Sequence, residues 1–234
     1  MKNEALSFDR NKHLLYSKGV VRILRAHLQQ QYPAQAEALW ETLQLQYVQF
    51  LETVPYLGGK QNKQASGVYD CIALFAYYEI LPEKPTLEAF AAVSDEYFHT
   101  PAFLGHLVSL NWKPILRLGN LAASRVAQNN RAHAADWPGQ YLMTVLPFEP
   151  SQGIRFRFDR CPIAEFAKAH GYTELMPAMC NPDYPMMDTL HGYLIRTTTC
   201  ANGNCCDYQI VGNQSEAAKA HPRKQRADGY WFNP

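Results

Sequence analysis

The chain has no Cys-x-x-Cys pair, no long apolar run and almost no net charge. Without a Cys-x-x-Cys pair, its six cysteines do not match a zinc ribbon or finger. Their spacing also departs from a ferredoxin run, which counts against an iron–sulfur cluster. No 18-residue apolar stretch exists, so no segment reads as a transmembrane helix. The opening "MKNEALSFDRNKH" lacks the apolar region of a secretion signal. The expected compartment is therefore the cytoplasm, where thiols stay reduced and disulfides are the least expected use of the cysteines. A net charge of +1 supplies no overall field to draw the chain to nucleic acid or an anionic membrane. Internal repeats and low-complexity segments are also missing.

What is present suits a folded domain. With 234 residues, 47% of them hydrophobic, the chain can bury a substantial core as one large domain or two small, closely packed ones. The first half reads as helices. In "AQAEALWETLQLQYVQFLETV", Leu39, Leu43, Tyr47, Phe50 and Val54 recur at steps of three and four, giving one apolar face. "ASGVYDCIALFAYYEIL" is apolar nearly all round and reads as a central helix, with Ser66 as a candidate cap. Thr86 followed by Glu88 opens another helix. "PAFLGHLVSLNWKPILRLGNLAASRVAQNN" reads as two helical pieces broken at Pro114.

The period then changes. "GIRFRFDR" alternates, with Ile154, Phe156 and Phe158 on one side, and predicts a half-buried strand. "YLMTVLPF", apolar on both faces, reads as a central strand joined to it through the turn "EPSQG". "IAEFAKAHG" predicts a short helix stopped by Gly171. "YLIRTTT" and "CDYQIV" read as two more strands, with the Asn-Gly of "CANGNC" as a hairpin signal. The expected fold is α+β: a helical N-terminal part, residues 1–138, packed on an antiparallel β-sheet C-terminal part with short helices, residues 139–234, as one compact unit. The basic tail with Arg223, Lys224 and Arg226 reads as a solvated end, with Tyr230, Trp231 and Phe232 able to pin it back.

The chemistry gathers late in the chain. Four of the six cysteines fall between Cys180 and Tyr208, with Asp183, Asp188, His191 and Arg196 among them. Cys161 follows the alternating strand. Of Cys205 and Cys206, adjacent strand residues, one alone can join a given cluster, and Cys206 shares its face with Tyr208. One reading brings Cys161, Cys180, Cys206 and Asp183 together as a metal set suited to zinc. The other makes these cysteines small buried hydrophobes, as Cys71 reads inside its apolar helix. Cys200 falls in the turn and reads as an exposed or half-buried thiol. Arg196 would serve as a carboxylate clamp if turned inward, and His191 or Asp188 as a base. "PYLGGKQN" places Lys60 and Asn62 in a glycine loop able to receive a small anion, or serving only as a helix–helix connection. It is not a Walker loop.

Two stretches, "CPIAEFAKAHGYTELMPAMCNPDYPMMDTL" and "LIRTTTCANGNCCDY", resemble the L-2-amino-thiazoline-4-carboxylic acid hydrolase family. Its pattern of Cys-Pro, Cys-x-x-Asp, Arg-Thr-x-Thr, a glycine turn and Cys-Asp-aromatic falls here on Cys161-Pro162, Cys180 with Asp183, Arg196, Gly203 and Cys206-Asp207-Tyr208. "LGGKQN" looks like the family's Gly-Gly-Lys-x-Asn loop. The likeness is dense over residues 153–210 and thinner over 55–80, and Cys200 and Cys205 look like additions of this sequence. The resemblance implies a hydrolase acting on a non-peptide C–N bond in a cyclic amidine, with Cys180, Asp183 and Cys206 as catalytic residues and Lys60, Asn62, Arg196 and His191 near a small-molecule substrate. Zinc is the one cofactor this leaves open, and a homo-oligomer is left open too. In the enzyme reading either a metal-bound water or a thiolate of depressed pKa attacks. The C-terminal pattern is also similar to small-molecule-sensing domains of the 4-vinyl-reductase type. These imply instead a non-enzymatic binding module with a cysteine-bound metal and a pocket lined by Tyr77, Tyr78, Phe156 and Phe158.

Overall fold

The computed structural model describes residues 18–234; the amino-terminal stretch inspected for a secretion signal lies outside the described residues. Helices come first: α1 (Lys18–Gln31), α2 (Ala36–Thr53), α3 (Ala65–Ile80), α4 (Leu87–Phe98), the short α5 (Leu104–Leu107) and α6 (Lys113–Ala132). The second half holds β1 (Leu142–Val145), β2 (Ile154–Arg160), α7 (Pro162–His170), α8 (Met176–Cys180), α9 (Asp183–Thr189), β3 (Gly192–Ile195), β4 (Cys206–Gly212), α10 (Glu216–Ala220), β5 (Lys224–Gln225) and β6 (Trp231–Phe232). The architecture is α+β, with the helices ahead of an antiparallel four-stranded sheet. No helix among the described residues is long and apolar enough to cross a membrane.

The helical layer follows its apolar periodicity. α2 buries Leu39, Leu43, Tyr47 and Phe50 along one stripe, packed on α3. α3 is buried without interruption from Val68 to Tyr77, as a central helix must be. Ser66 does not cap it: this residue lies inside the first turn and donates to the Lys63 carbonyl at 3.2 Å. Asn62 does the work at that end, its Oδ1 accepting the Gln64 N–H at 3.0 Å. Thr86 caps α4 by accepting the Ala89 N–H at 3.3 Å. Pro114 sits in the first turn of α6, where its missing N–H leaves no bond unmade.

The sheet order is β1-β2-β4-β3, all antiparallel. β1 is therefore an edge strand, not the central one its apolar sequence predicts, and α6 packs against it. The register sets Phe156 opposite Tyr208 and Phe158 opposite Cys206. A second departure lies between β3 and β4. Asn202-Gly203 makes no two-residue hairpin, and Arg196–Cys205 forms a longer loop. Side chains outcompete the tight turn there. The Asp207 carboxylate accepts from the Thr197 and Thr198 N–H groups and the Thr197 hydroxyl, and Asn202 Oδ1 accepts from the Thr199 N–H and hydroxyl. One apolar core runs from α1–α4 through α7 and α8 to Cys206 and Tyr230, joining the helical layer to one face of the sheet.

The glycine loop ahead of α3 is a closely packed connection. Gly58 has φ +94°, and a Cβ there would lie 2.6 Å from the Trp137 ring. Asn62 is buried and spends its Nδ2 on the Leu57 carbonyl at 2.7 Å. Gly58→Ala is expected to lower stability by about 2–4 kcal/mol, from left-handed strain plus overpacking. An unchanged denaturation midpoint would contradict this.

Candidate functional site

Six elements deliver the chemical groups to one region beside the sheet. Cys161 is the residue before α7, with Pro162 in that helix's first turn. Cys180 closes α8 and Asp183 opens α9. Arg196 follows β3, and the period of two in β4 puts Cys206 and Tyr208 on the same face. Cys71 joins from α3.

Arg196 is the hub. Its side chain is 1% exposed. Nη1 donates to Asp183 Oδ2 at 2.8 Å and to the Tyr208 hydroxyl at 3.2 Å, and Nη2 donates to the Cys180 carbonyl at 2.9 Å. The guanidinium also lies over the rings of Tyr184 and Tyr208, 4.9 and 5.4 Å from their centroids. Its backbone is fixed by Asn233, whose side chain accepts the Arg196 N–H and whose N–H donates to the Arg196 carbonyl. Burial works against the charge, but Tyr208, Asp183 and Cys180 outweigh it and keep the group firmly protonated. Asp183 is the open end of the trio, with 31% of its side chain exposed. It also accepts from the Tyr208 hydroxyl at 2.6 Å. Burial first and Asp183 second raise the Tyr208 pKa, so that phenol remains a donor.

The thiols are neighbours of this trio and of one another. Burial raises Cys161 to about 12, with Cys180 adding to the shift, and raises Cys180 to about 12 against the opposing pull of Arg196. A contact between Cys200 and Cys206 pulls Cys200 down and pushes Cys206 up; the Cys200 N–H also donates to Cys206 Sγ at 3.0 Å. Cys161, Cys180 and Cys206 therefore rest as neutral thiols, opposite in direction to the depressed thiolate the sequence suggests for Cys180 or Cys206. Their linkage has a definite sign. Between the ordinary thiol value of 9.0 and about 12, the unfolded chain loses protons that Cys161 and Cys180 keep in the native state. Stability is fully present below pH 9 and falls as pH rises toward 12. Thermal unfolding across that range checks this, and a flat profile would refute it.

Among the described residues no group of three or more His, Cys, Asp or Glu is arranged to hold a metal ion. The set Cys161, Cys180, Cys206 and Asp183, zinc ligands in one reading of the sequence, is therefore not such a group, and Asp183 is paired with Arg196.

Other sequence-selected residues lie elsewhere. Asn62 is consumed by its own loop. Lys60 falls in the single turn Gly59–Gln61, and its side chain lies outside what the structure describes. His191 adopts φ 54° and its Nε2 lies 3.1 Å from the Gly105 carbonyl, beside a separate cleft of about 340 Å³ that also includes Trp112. Asp188 pairs with Arg223. Phe156 stacks on Tyr208 with centroids 4.7 Å apart, and Phe158 meets the same ring edge-on. Tyr77 neighbours Tyr32, and Tyr78 packs on Phe90; both belong to the same apolar core as Phe158 and Tyr208. Cys200 is buried, not half-exposed. Cys205 points away toward Arg157 and Asp207. Thr199, Tyr230 and Asn233 also belong to the site's surroundings, and only the aromatic tail hinted at this in the sequence.

These features define a class: α+β proteins with an arginine–carboxylate–tyrosine trio and protonated thiols between a helical layer and an antiparallel sheet. A family model described as L-2-amino-thiazoline-4-carboxylic acid hydrolase matches residues 73–210. The chain belongs to that family. Comparison with curated proteins finds no match, and neither does comparison with solved structures. The matched segment holds Cys161, Cys180, Asp183, Arg196, Cys206 and Tyr208; the Gly58–Asn62 loop, Tyr230 and Asn233 lie outside it.

Proposed function

We propose that the chain hydrolyses a small cyclic amidine of the thiazoline type, opening the ring at the carbon between nitrogen and sulfur. The observation that carries this reading is the Asp183 carboxylate: fixed by a buried guanidinium and a tyrosine hydroxyl, yet partly open to solvent. A carboxylate so held is oriented to take a proton from water. Water adds to the ring carbon, Asp183 accepts its proton, and the ring nitrogen receives that proton. The hydroxyl proton of the tetrahedral intermediate then passes through the same carboxylate to sulfur as the C–S bond breaks. The product keeps the former ring nitrogen as a carbamoyl amide and carries a free thiol. The raised pKa values of Cys180 and Cys206 favour water over a thiolate as the attacking group. These two cysteines then serve as a polarizable wall beside the ring sulfur.

The test is incubation of the purified protein, with and without chelator, with 2-amino-thiazoline-4-carboxylate, reading the appearance of free thiol. Turnover that survives chelation is expected. Cys180→Ser is expected to keep at least about a tenth of that activity, because water attacks. A folded Cys180→Ser protein with no turnover would return the nucleophile to Cys180. A folded wild type that binds the thiazoline without turning it over would point to the non-enzymatic module instead.

A further inference from the structure

The helix α6 has two unlike faces. Its inner side buries Leu116, Asn120, Ala127 and Asn130 and packs on β1 and β2. Its outer side carries Leu118, 61% exposed, and Leu121, 51% exposed. With Pro114 and Arg125 they form a solvent-facing stripe at helical steps of four, three and four. Large apolar side chains in water are gathered in this part of the chain. Of the eight among the described residues, Phe103, Leu107, Trp112, Leu118 and Leu121 fall between positions 103 and 121. Phe103 and Leu107, four apart, share one side of α5. Gly105 and His106 of α5 line one cleft with Trp112, the residue before α6. A single exposed leucine is ordinary, but a gathering of this density marks a contact surface.

The charge around these side chains has one sign. Residues 97–135 contain no Asp or Glu, so all 21 acidic residues of the chain lie outside this segment. Lys113, Arg117, Arg125 and Arg131 lie within it, all exposed. Among the described residues none of the four is held in an ion pair. The total of +1 therefore hides a local separation of charge, with four unopposed cations set among exposed Leu, Phe and Trp.

We propose that the outer face of α6, together with Phe103, Leu107 and Trp112, docks on an anionic lipid surface. Charge complementarity fixes the sign of the partner. The apolar side chains enter the boundary between headgroups and acyl chains, while Lys and Arg reach along the same boundary to the lipid phosphates. A convex helix surface with single apolar side chains between cations suits a fluid interface, which moulds around each of them; a protein partner must offer a pocket for each. The stretch 1–17 does not complement this charge, since it sets Lys2, Arg10 and Lys12 against Glu4 and Asp9. The contact is peripheral and reversible, and it is independent of the hydrolase reading.

Co-sedimentation of the full chain with vesicles tests this, using phosphatidylcholine alone and an equimolar mixture with phosphatidylglycerol. Binding to the anionic vesicles at low salt is expected to be at least about tenfold tighter than to the neutral ones, and to fade at about 0.5 M salt. Arg117→Gln with Arg125→Gln is expected to weaken it by about tenfold to thirtyfold, the effect of removing two cations from an anionic surface. Leu118→Gln with Leu121→Gln is expected to weaken it by at least about tenfold. All four positions face water, so the denaturation midpoint should hold in both double variants. Emission from Trp112 should move to shorter wavelength on binding, and Trp112→Phe should abolish the change, because Trp40 and Trp137 are buried and Trp231 packs on Tyr184. Absence of binding to the anionic vesicles at low salt overturns the proposal, as does equal binding to the neutral ones. Binding that survives both double variants places the contact elsewhere and also overturns it. A salt-sensitive dimer without vesicle binding would give this face to a second copy of the chain, against the proposal.

Discussion

Asp183→Asn is expected to lower turnover of 2-amino-thiazoline-4-carboxylate by about 10²–10⁴-fold, the usual contribution of a positioned general base. The amide keeps an oxygen that can accept from Tyr208 and Arg196, so the shape of the site is retained while the proton acceptor is lost. Tyr208 approaches Asp183 at 2.6 Å and Arg196 approaches it at 2.8 Å, and both contacts become neutral-acceptor bonds in the variant. The buried guanidinium loses its counter-ion, so the melting temperature should fall; the Cys180 carbonyl and the rings of Tyr184 and Tyr208 still support it. The decisive comparison is kcat of the folded variant against wild type. A kcat within a few-fold of wild type would remove Asp183 from the proton path and leave it a structural partner of Arg196.

Much of the scaffold was legible because local period and local burial agree. α2 shows its buried stripe at steps of three and four, and β2 shows Phe156 and Phe158 alternating with Arg155 and Arg157. The parity of β4 sorts Cys206 inward with Tyr208 and turns Cys205 away. What escaped reading depends on partners distant in sequence. β1 is apolar on both faces yet lies at an edge, because α6 covers it. Asn202-Gly203 signals a tight turn, but Asp207 and Thr199 draw the loop inward. No local pattern says which way an arginine just past a strand end points. Arg196 is turned inward by Asn233, 37 residues downstream, and by Asp183 on another helix. The direction of the thiol shifts was not legible because helical and strand patterns do not reveal how far the partial burial of Cys161 and Cys180 outweighs the pull of Arg196 on Cys180.

Arg196→Met is expected to destabilise the fold by about 3–5 kcal/mol, the range for removing one partner of a buried ion pair. Three hydrogen bonds vanish together, and the Cys180 carbonyl, Asp183 and the Tyr208 hydroxyl lose their shared donor. The damage spreads because the same residue ties the carboxy-terminal segment to the sheet through Asn233, while Tyr184 beneath the guanidinium donates to the Trp231 carbonyl. Arg196→Lys separates charge from shape. A lysine keeps the cation but offers a single compact head, which cannot reach Asp183 and the Cys180 carbonyl at once as two arms of a planar fork do. It should therefore recover part of the stability and little of the turnover. Chemical denaturation of both variants, with kcat for the lysine form, checks the two halves separately. A methionine variant within about 0.5 kcal/mol of wild type would show that the buried network contributes no more than an ordinary surface contact, and a fully active lysine variant would show that charge alone, not the planar fork, holds Asp183 in position.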